Sequence, residues 1–195
     1  MGDRSVTRNC GPDLARVGAG LPVAAYRDEI TTALHGGRAV IVAPPGTGKT
    51  TFVPPLVASR CSGRVIVTQP RRVAARAAAR RLAALTGTRP GEFASHTVHG
   101  ESTTTRDTKV EFVTTGVLLR RLLSDPDLTG VDAVVLDEVH ERHLDADLVV
   151  AMVCEVAQLR DDLTIVAMSA TVDSSGWAAF LVRVEPAPVV EVASW

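Results

Sequence analysis

The stretch Ala39-Val40-Ile41-Val42-Ala43-Pro44-Pro45-Gly46-Thr47-Gly48-Lys49-Thr50-Thr51 decides the fold. Its first five residues are apolar and mostly β-branched, so they read as a strand covered on both faces. A turn of two prolines and two glycines follows, and Lys49-Thr50-Thr51 opens a helical segment that runs to Ala58. A chain that passes so abruptly from strand to helix aims backbone N–H groups inward, and glycines at 46 and 48 let it curl closely around an anion. The helix N-terminus adds partial positive charge. The pattern therefore predicts a triphosphate cradle built from Pro45, Gly46, Thr47, Gly48, Lys49, Thr50 and Thr51. Lys49 would reach the β- and γ-phosphates, and the Thr50 hydroxyl would hold Mg²⁺. Position 43 is Ala where the commonest pattern has Gly. Of nineteen arginines and two lysines in the chain, one lysine stands where a compact point charge is wanted.

Outward from this loop, short β-branched runs alternate with helical segments, the pattern of a parallel sheet with crossover helices. Strands are expected at Ala39 to Ala43, Val65 to Gln69, Lys109 to Thr114, Ala133 to Leu136 and Thr164 to Met168. Helices are expected at Lys49 to Ala58, Val73 to Leu85, Gly116 to Leu123, Ala146 to Leu159 and Ser174 to Leu181. The fold class is α/β, a doubly wound, mainly parallel sheet with helices on both faces and ligands at the carboxyl ends of its strands. Residues 1–20 read as a loose leader, and Val189 to Val192 as a last strand after a proline-rich turn.

A chain of 195 residues, 46% hydrophobic and 22% charged, fits one globular domain with a sizeable core. Cys10, Cys61 and Cys154 are widely spaced, without a CxxC pair, which suggests a reduced, cytoplasmic protein. No apolar run approaches the roughly 20 residues that span a bilayer, so no membrane partner is expected. The net charge of -1 conceals an uneven distribution. Arg60 to Arg89 holds eight arginines and no acid, whereas Asp125 to Asp162 holds eleven acids and two arginines. Such polarity would set a cationic surface beside an acidic metal site, although solvated helix faces give the same count.

The run Val134-Val135-Leu136-Asp137-Glu138-Val139-His140 is an apolar strand ending in two carboxylates. A buried strand can aim Asp137 into the crevice that holds the phosphate loop, where it would bind Mg²⁺. Glu138 would orient or deprotonate the attacking water, and His140 would sense the γ-phosphate. Alone, the two acids could be a solvated strand end or a helix cap. His140 and His143 are three residues apart rather than the four of a helical zinc motif, which argues against zinc.

Together these segments resemble the DEAH-type helicases of superfamily two, most of all the bacterial HrpB type. The matching segments are Ala43 to Thr51, Thr68 to Arg76, Thr114 to Leu118, Asp137 to Arg142 and Ser169-Ala170-Thr171, in the order of the family's motifs I, Ia, Ib, II and III. The resemblance implies a RecA-like P-loop domain over residues 21–195 that binds ATP and Mg²⁺. It implies that Lys49, Glu138 and His140 act in catalysis and that Thr50, Asp137 and Glu138 hold the metal. Arg71, Arg72, Thr114, Thr115 and Gly116 would contact single-stranded RNA or DNA. Ser169, Ala170 and Thr171 would couple that strand to the ATP site, and Arg81 would stack on adenine. Relatives carry a Gly-Tyr-x-x-Arg segment where this chain has Ser95-His96-Thr97-Val98-His99, which removes a permanent charge.

Helicases of this class close two RecA-like domains around ATP, the second supplying arginine fingers from a QxxGRxGR-like motif. That motif does not occur in these 195 residues, so the expectation is the first domain alone, the second being absent. The chain is expected to bind nucleotide but hydrolyse it poorly. The competing readings are a non-helicase P-loop ATPase and a non-catalytic fragment that binds nucleic acid or a partner.

Overall fold

The computed structural model describes residues 11–141, 144–171 and 186–193. Eight strands form one sheet: β1 (Arg38–Val42), β2 (Arg64–Gln69), β3 (Ala94–Val98), β4 (Glu101–Ser102), β5 (Val110–Thr114), β6 (Val131–Leu136), β7 (Thr164–Ser169) and β8 (Val189–Glu191). Their order across the sheet is β4-β3-β5-β2-β6-β7-β1-β8. All pairings are parallel except β3 with β4.

Strand residues alternate between two cores because successive side chains point to opposite faces. Ala39 and Ile41 of β1, with Ala133 and Val135 of β6, join the cluster under α1 (Leu14–Gly18), α2 (Arg27–Ala33), α3 (Lys49–Ala58) and α4 (Arg72–Thr86). Val40, Val42, Val134 and Leu136 join the opposite cluster, under α5 (Thr115–Ser124) and α6 (Leu144–Leu159). Helices on both faces bury the sheet, as the unbroken apolar runs in β1 and β6 require. The carboxyl ends of β1, β2, β5, β6 and β7 meet on one edge, and every candidate motif lies there.

The loose leader needs correction over residues 11–20. Asp13 caps α1 by accepting from the backbone N–H groups of Ala15 and Arg16, both at 3.1 Å. Leu14 and Val17 are buried, and a Cβ on Gly18 would lie 2.8 Å from the Phe52 ring. This first turn is therefore part of the core. The polar strand β3 was also not anticipated. Its Ser95 and His96 are buried, and Thr103, Thr104 and Glu101 satisfy their polar groups. The expected helix Ser174 to Leu181 lies outside the described residues.

Candidate functional site

The loop between β1 and α3 is held open by its own backbone. Gly46 and Gly48 take left-handed φ values of 84° and 86°, which side-chain-bearing residues rarely adopt. Thr47 donates its hydroxyl to the Pro44 carbonyl at 2.8 Å, and its own carbonyl accepts from Val23 N–H at 3.1 Å. Leu21 packs so closely that a Cβ on Gly48 would meet it at 2.9 Å. Leu21 and Val23 thus brace the loop, and their apolar side chains gave no sign of that task in the sequence.

Asp137 and Glu138 follow β6 directly and reach this loop. The Thr50 hydroxyl donates to Asp137 Oδ2 at 2.6 Å, and Gln69 Nε2 donates to the same oxygen at 2.7 Å. Thr68 Oγ1 accepts from Asp137 N–H at 3.1 Å, so the end of β2 orients the acid from below. Burial pushes the Asp137 carboxyl above its ordinary range; the Thr50 hydrogen bond pulls it down and the Glu138 charge pushes it up again. Lys49, only 5% exposed, pairs with Glu138 Oε1 at 3.0 Å. Glu138 itself sits at φ 54°, a left-handed conformation that costs a non-glycine residue on the order of 1 kcal/mol. That backbone kink turns its side chain toward Lys49 instead of along the strand.

His140 links this pair to the end of β7. Its Nδ1 lies 3.4 Å from Glu138 Oε2 and accepts from Ala170 N–H at 3.4 Å. Val139 N–H donates to the Met168 carbonyl at 3.1 Å, and Ala43 N–H donates to the Ser169 carbonyl at 2.9 Å. Ser169 and Thr171 bond each other through Oγ and Oγ1 at 3.3 Å. The three expected coupling residues therefore touch both the acidic segment and the end of β1. Arg142 and His143 lie outside the described residues. Among the described residues, no group of three or more His, Cys, Asp or Glu side chains could hold a metal by itself.

On the far side of the acids, Thr114, Thr115 and Gly116 form the β5–α5 junction. A cavity of about 220 Å³ separates this junction from Asp137, Glu138 and Glu141. Arg71 and Arg72 begin α4 beside it and are exposed. Arg71 pairs with Glu141 at 3.6 Å, and Glu141 N–H donates to the Glu138 carbonyl at 2.9 Å. Arg76, expected to face solvent or pair, ion-pairs with Glu101. Arg81 is exposed on α4 and makes no hydrogen bond or ion pair with another described residue.

The profile of the DEAD/DEAH box helicases matches residues 26–178. The chain belongs to the DEAD/DEAH box helicase family. Over 158 residues it is 44% identical to the ATP-dependent RNA helicase HrpB of Escherichia coli K12, covering 79% of this chain and 20% of that protein. The probable ATP-dependent RNA helicase DHX34 of Homo sapiens is 35% identical over 180 residues, 92% of this chain and 16% of that one. The crystal structure of the E. coli DEAH/RHA helicase HrpB matches with a TM-score of 0.83 at 40% identity, over 90% of this chain and 22% of that chain. The chain thus spans about a fifth of the length of the relatives it matches. The helicase fold accounts for the doubly wound sheet and the clustering of motifs at its carboxyl edge. No helix among the described residues is long and apolar enough to cross a membrane.

Proposed function

We propose that this chain is the ATP- and Mg²⁺-binding RecA-like unit of an ATP-dependent helicase that couples hydrolysis to movement along a single strand. The observation that carries the reading is the meeting of two segments 87 residues apart, Thr50 Oγ1 on Asp137 Oδ2 at 2.6 Å. RNA is the proposed strand, since HrpB and DHX34 are both named RNA helicases.

The donor set fits the metal. Thr50, Asp137 and Glu138 offer hard oxygens, with no thiol or imidazole on the Thr50–Asp137 pair, as suits Mg²⁺. The metal, when bound with nucleotide, supplies charge neutralisation at the phosphate oxygens. Asp137, held by Thr50 and Gln69, is the residue that would anchor it through a carboxylate already aimed at the loop.

Lys49 and Glu138 neutralise each other before nucleotide arrives. An incoming phosphate takes over Lys49 through a charge-assisted contact. Glu138 is thereby released to orient the attacking water and accept its proton. His140, within reach of Glu138 and of Ala170, passes the change at Glu138 to the segment Ser169 to Thr171.

Hydrolysis by the chain alone should be slow. A finger arginine contributes roughly 10³ to 10⁵ in turnover, about 4 to 7 kcal/mol of barrier, and the chain has no QxxGRxGR-like sequence. Translocation requires a second RecA-like domain as partner. Titration of the wild type and of Lys49→Ala with Mg·ATP tests the core of the reading, and equal affinities would overturn it. Strand-stimulated turnover on adding a second RecA-like domain tests the helicase assignment.

A further inference from the structure

Helix α5 carries two adjacent arginines with opposite surroundings. Arg121 turns inward and grips Glu111 with both arms, at 2.9 and 2.8 Å. Arg120 turns outward, and its only polar contact with a described residue is the His99 ring, Nη1 to Nδ1 at 3.2 Å. A guanidinium can only donate, so His99 Nδ1 is the acceptor and leaves the arginine's charge uncompensated.

The two side chains border an open cavity of about 560 Å³ that also receives Arg72, Thr114 and Gly116. Asp145 is the one acid lining it, against Arg72 and Arg120. Gly116, Leu119, Arg120 and Leu123 follow the i, i+3, i+4, i+7 spacing of a single helix face. Leu123 is 69% exposed, so core packing does not explain it. From Gly116 to Arg120 the helix rises about 6 Å, close to one step of an extended sugar-phosphate backbone.

We propose that Arg120, positioned by His99, contacts the next phosphate of a bound single strand beyond the Thr114–Gly116 junction, with Leu119 and Leu123 as an apolar floor beside it. The proposal rests on the strand-binding reading above and extends it along α5. It also accounts for His99, which replaces an arginine in the resembling family: the permanent charge is supplied from α5, and the ring at 99 aims it. Arg121 and Glu111 fix the helix so that the aim holds.

The test is fluorescence anisotropy of the full chain with an end-labelled oligouridine of about twelve nucleotides, over a series of salt concentrations. Each lost phosphate contact lowers the slope of log K against log salt by about 0.7, so Arg120→Ala should lower it by that amount and weaken binding several-fold. Arg72→Ala serves as the comparison, and thermal melting checks that each variant is folded. His99→Ala should weaken binding, add nothing to Arg120→Ala, and be rescued by His99→Asn, whose carbonyl can take the place of Nδ1. If Arg72→Ala lowers the slope and Arg120→Ala leaves it unchanged, the role of Arg120 is overturned while the strand-binding reading stands. If the wild type binds no strand at any salt, or neither arginine variant changes binding, the strand-binding reading fails and takes the proposal with it.

Discussion

Asp137 and Glu111 are both buried carboxylates of the same sheet, and their surroundings are opposite. Glu111 lies within β5 and is neutralised by two arginines: Arg121 binds it with both arms, and Arg64 reaches it at 3.2 Å. Thr97 donates to it at 2.7 Å as well. Burial pushes its carboxyl up, but the hydrogen bonds from Arg121 and Thr97 and the charges of Arg121 and Arg64 hold it below the ordinary range. Asp137, just past β6, receives only neutral donors, Thr50 and Gln69, and has the like charge of Glu138 beside it. Glu111 is satisfied by the protein, whereas Asp137 is oriented by the protein and left short of positive charge. A structural acid and an acid built to receive a cation differ in this way, and the contrast can be measured.

The largest effect should come from removing Glu111. Breaking a buried pair leaves uncompensated charge and costs about 3 to 5 kcal/mol, here the charge of Arg121. Urea unfolding of Glu111→Ala should show that loss, while the remaining folded protein still binds Mg·ATP. A loss below about 1 kcal/mol would place Glu111 with ordinary surface pairs and break the comparison. Acid should reproduce the effect. Because the folded-state pKa of Glu111 is depressed, its stabilisation is complete above the unfolded value of about 4.3 and is lost as the pH falls through the lower folded value. Glu111→Gln should therefore flatten the acid limb of a stability–pH profile.

Lys49→Ala comes next, and its effect is on ligand and not on folding. Losing a charge-assisted contact of about 1.5 to 3 kcal/mol should cut Mg·ATP affinity roughly ten- to hundred-fold, as calorimetry would read. Asp137→Asn sharpens the contrast with Glu111 directly. The amide oxygen can still accept from Thr50 and Gln69, and the repulsion from Glu138 disappears. Stability should change by less than about 1 kcal/mol, while the dependence of nucleotide affinity on Mg²⁺ concentration collapses. A destabilisation as large as that of Glu111→Ala would show Asp137 to be structural.

The two carboxylates were not equally legible in the sequence. Asp137 ends an apolar strand beside a second acid and shares a chain with a GxGKT turn, so local pattern placed it in the cleft. Glu111 is a single acid inside Val110-Glu111-Phe112, and nothing nearby in the chain announces Arg64 or Arg121. Its partners come from strand pairing and from the face of α5 that turns inward, both of which are long-range. The same limit hid β3, whose alternation is masked by Ser95, His96 and Thr97, and the bracing of the phosphate loop by Leu21 and Val23. The strands β1, β2, β5, β6 and β7 were readable because their apolar runs are buried on both faces and need no partner to be recognised.

Arg71 and Glu141 carry the comparison to the strand side and give the smallest effect. Their 3.6 Å pair is exposed, with the Arg71 side chain 76% accessible, so it stabilises by no more than about 1 kcal/mol. A pair that weak can yield to a phosphate, and Glu141 is tied to Glu138 through its backbone N–H. Strand binding would then pull Arg71 off Glu141 and loosen the segment that holds the water-activating acid. Glu141→Gln removes the competitor, so strand affinity should rise by up to about five-fold at low salt and return to the wild-type value at high salt, where exposed charges are screened. Anisotropy at two ionic strengths decides it. A gain that persists at high salt would mean that Glu141 opposes the strand by shape and not by competing for Arg71.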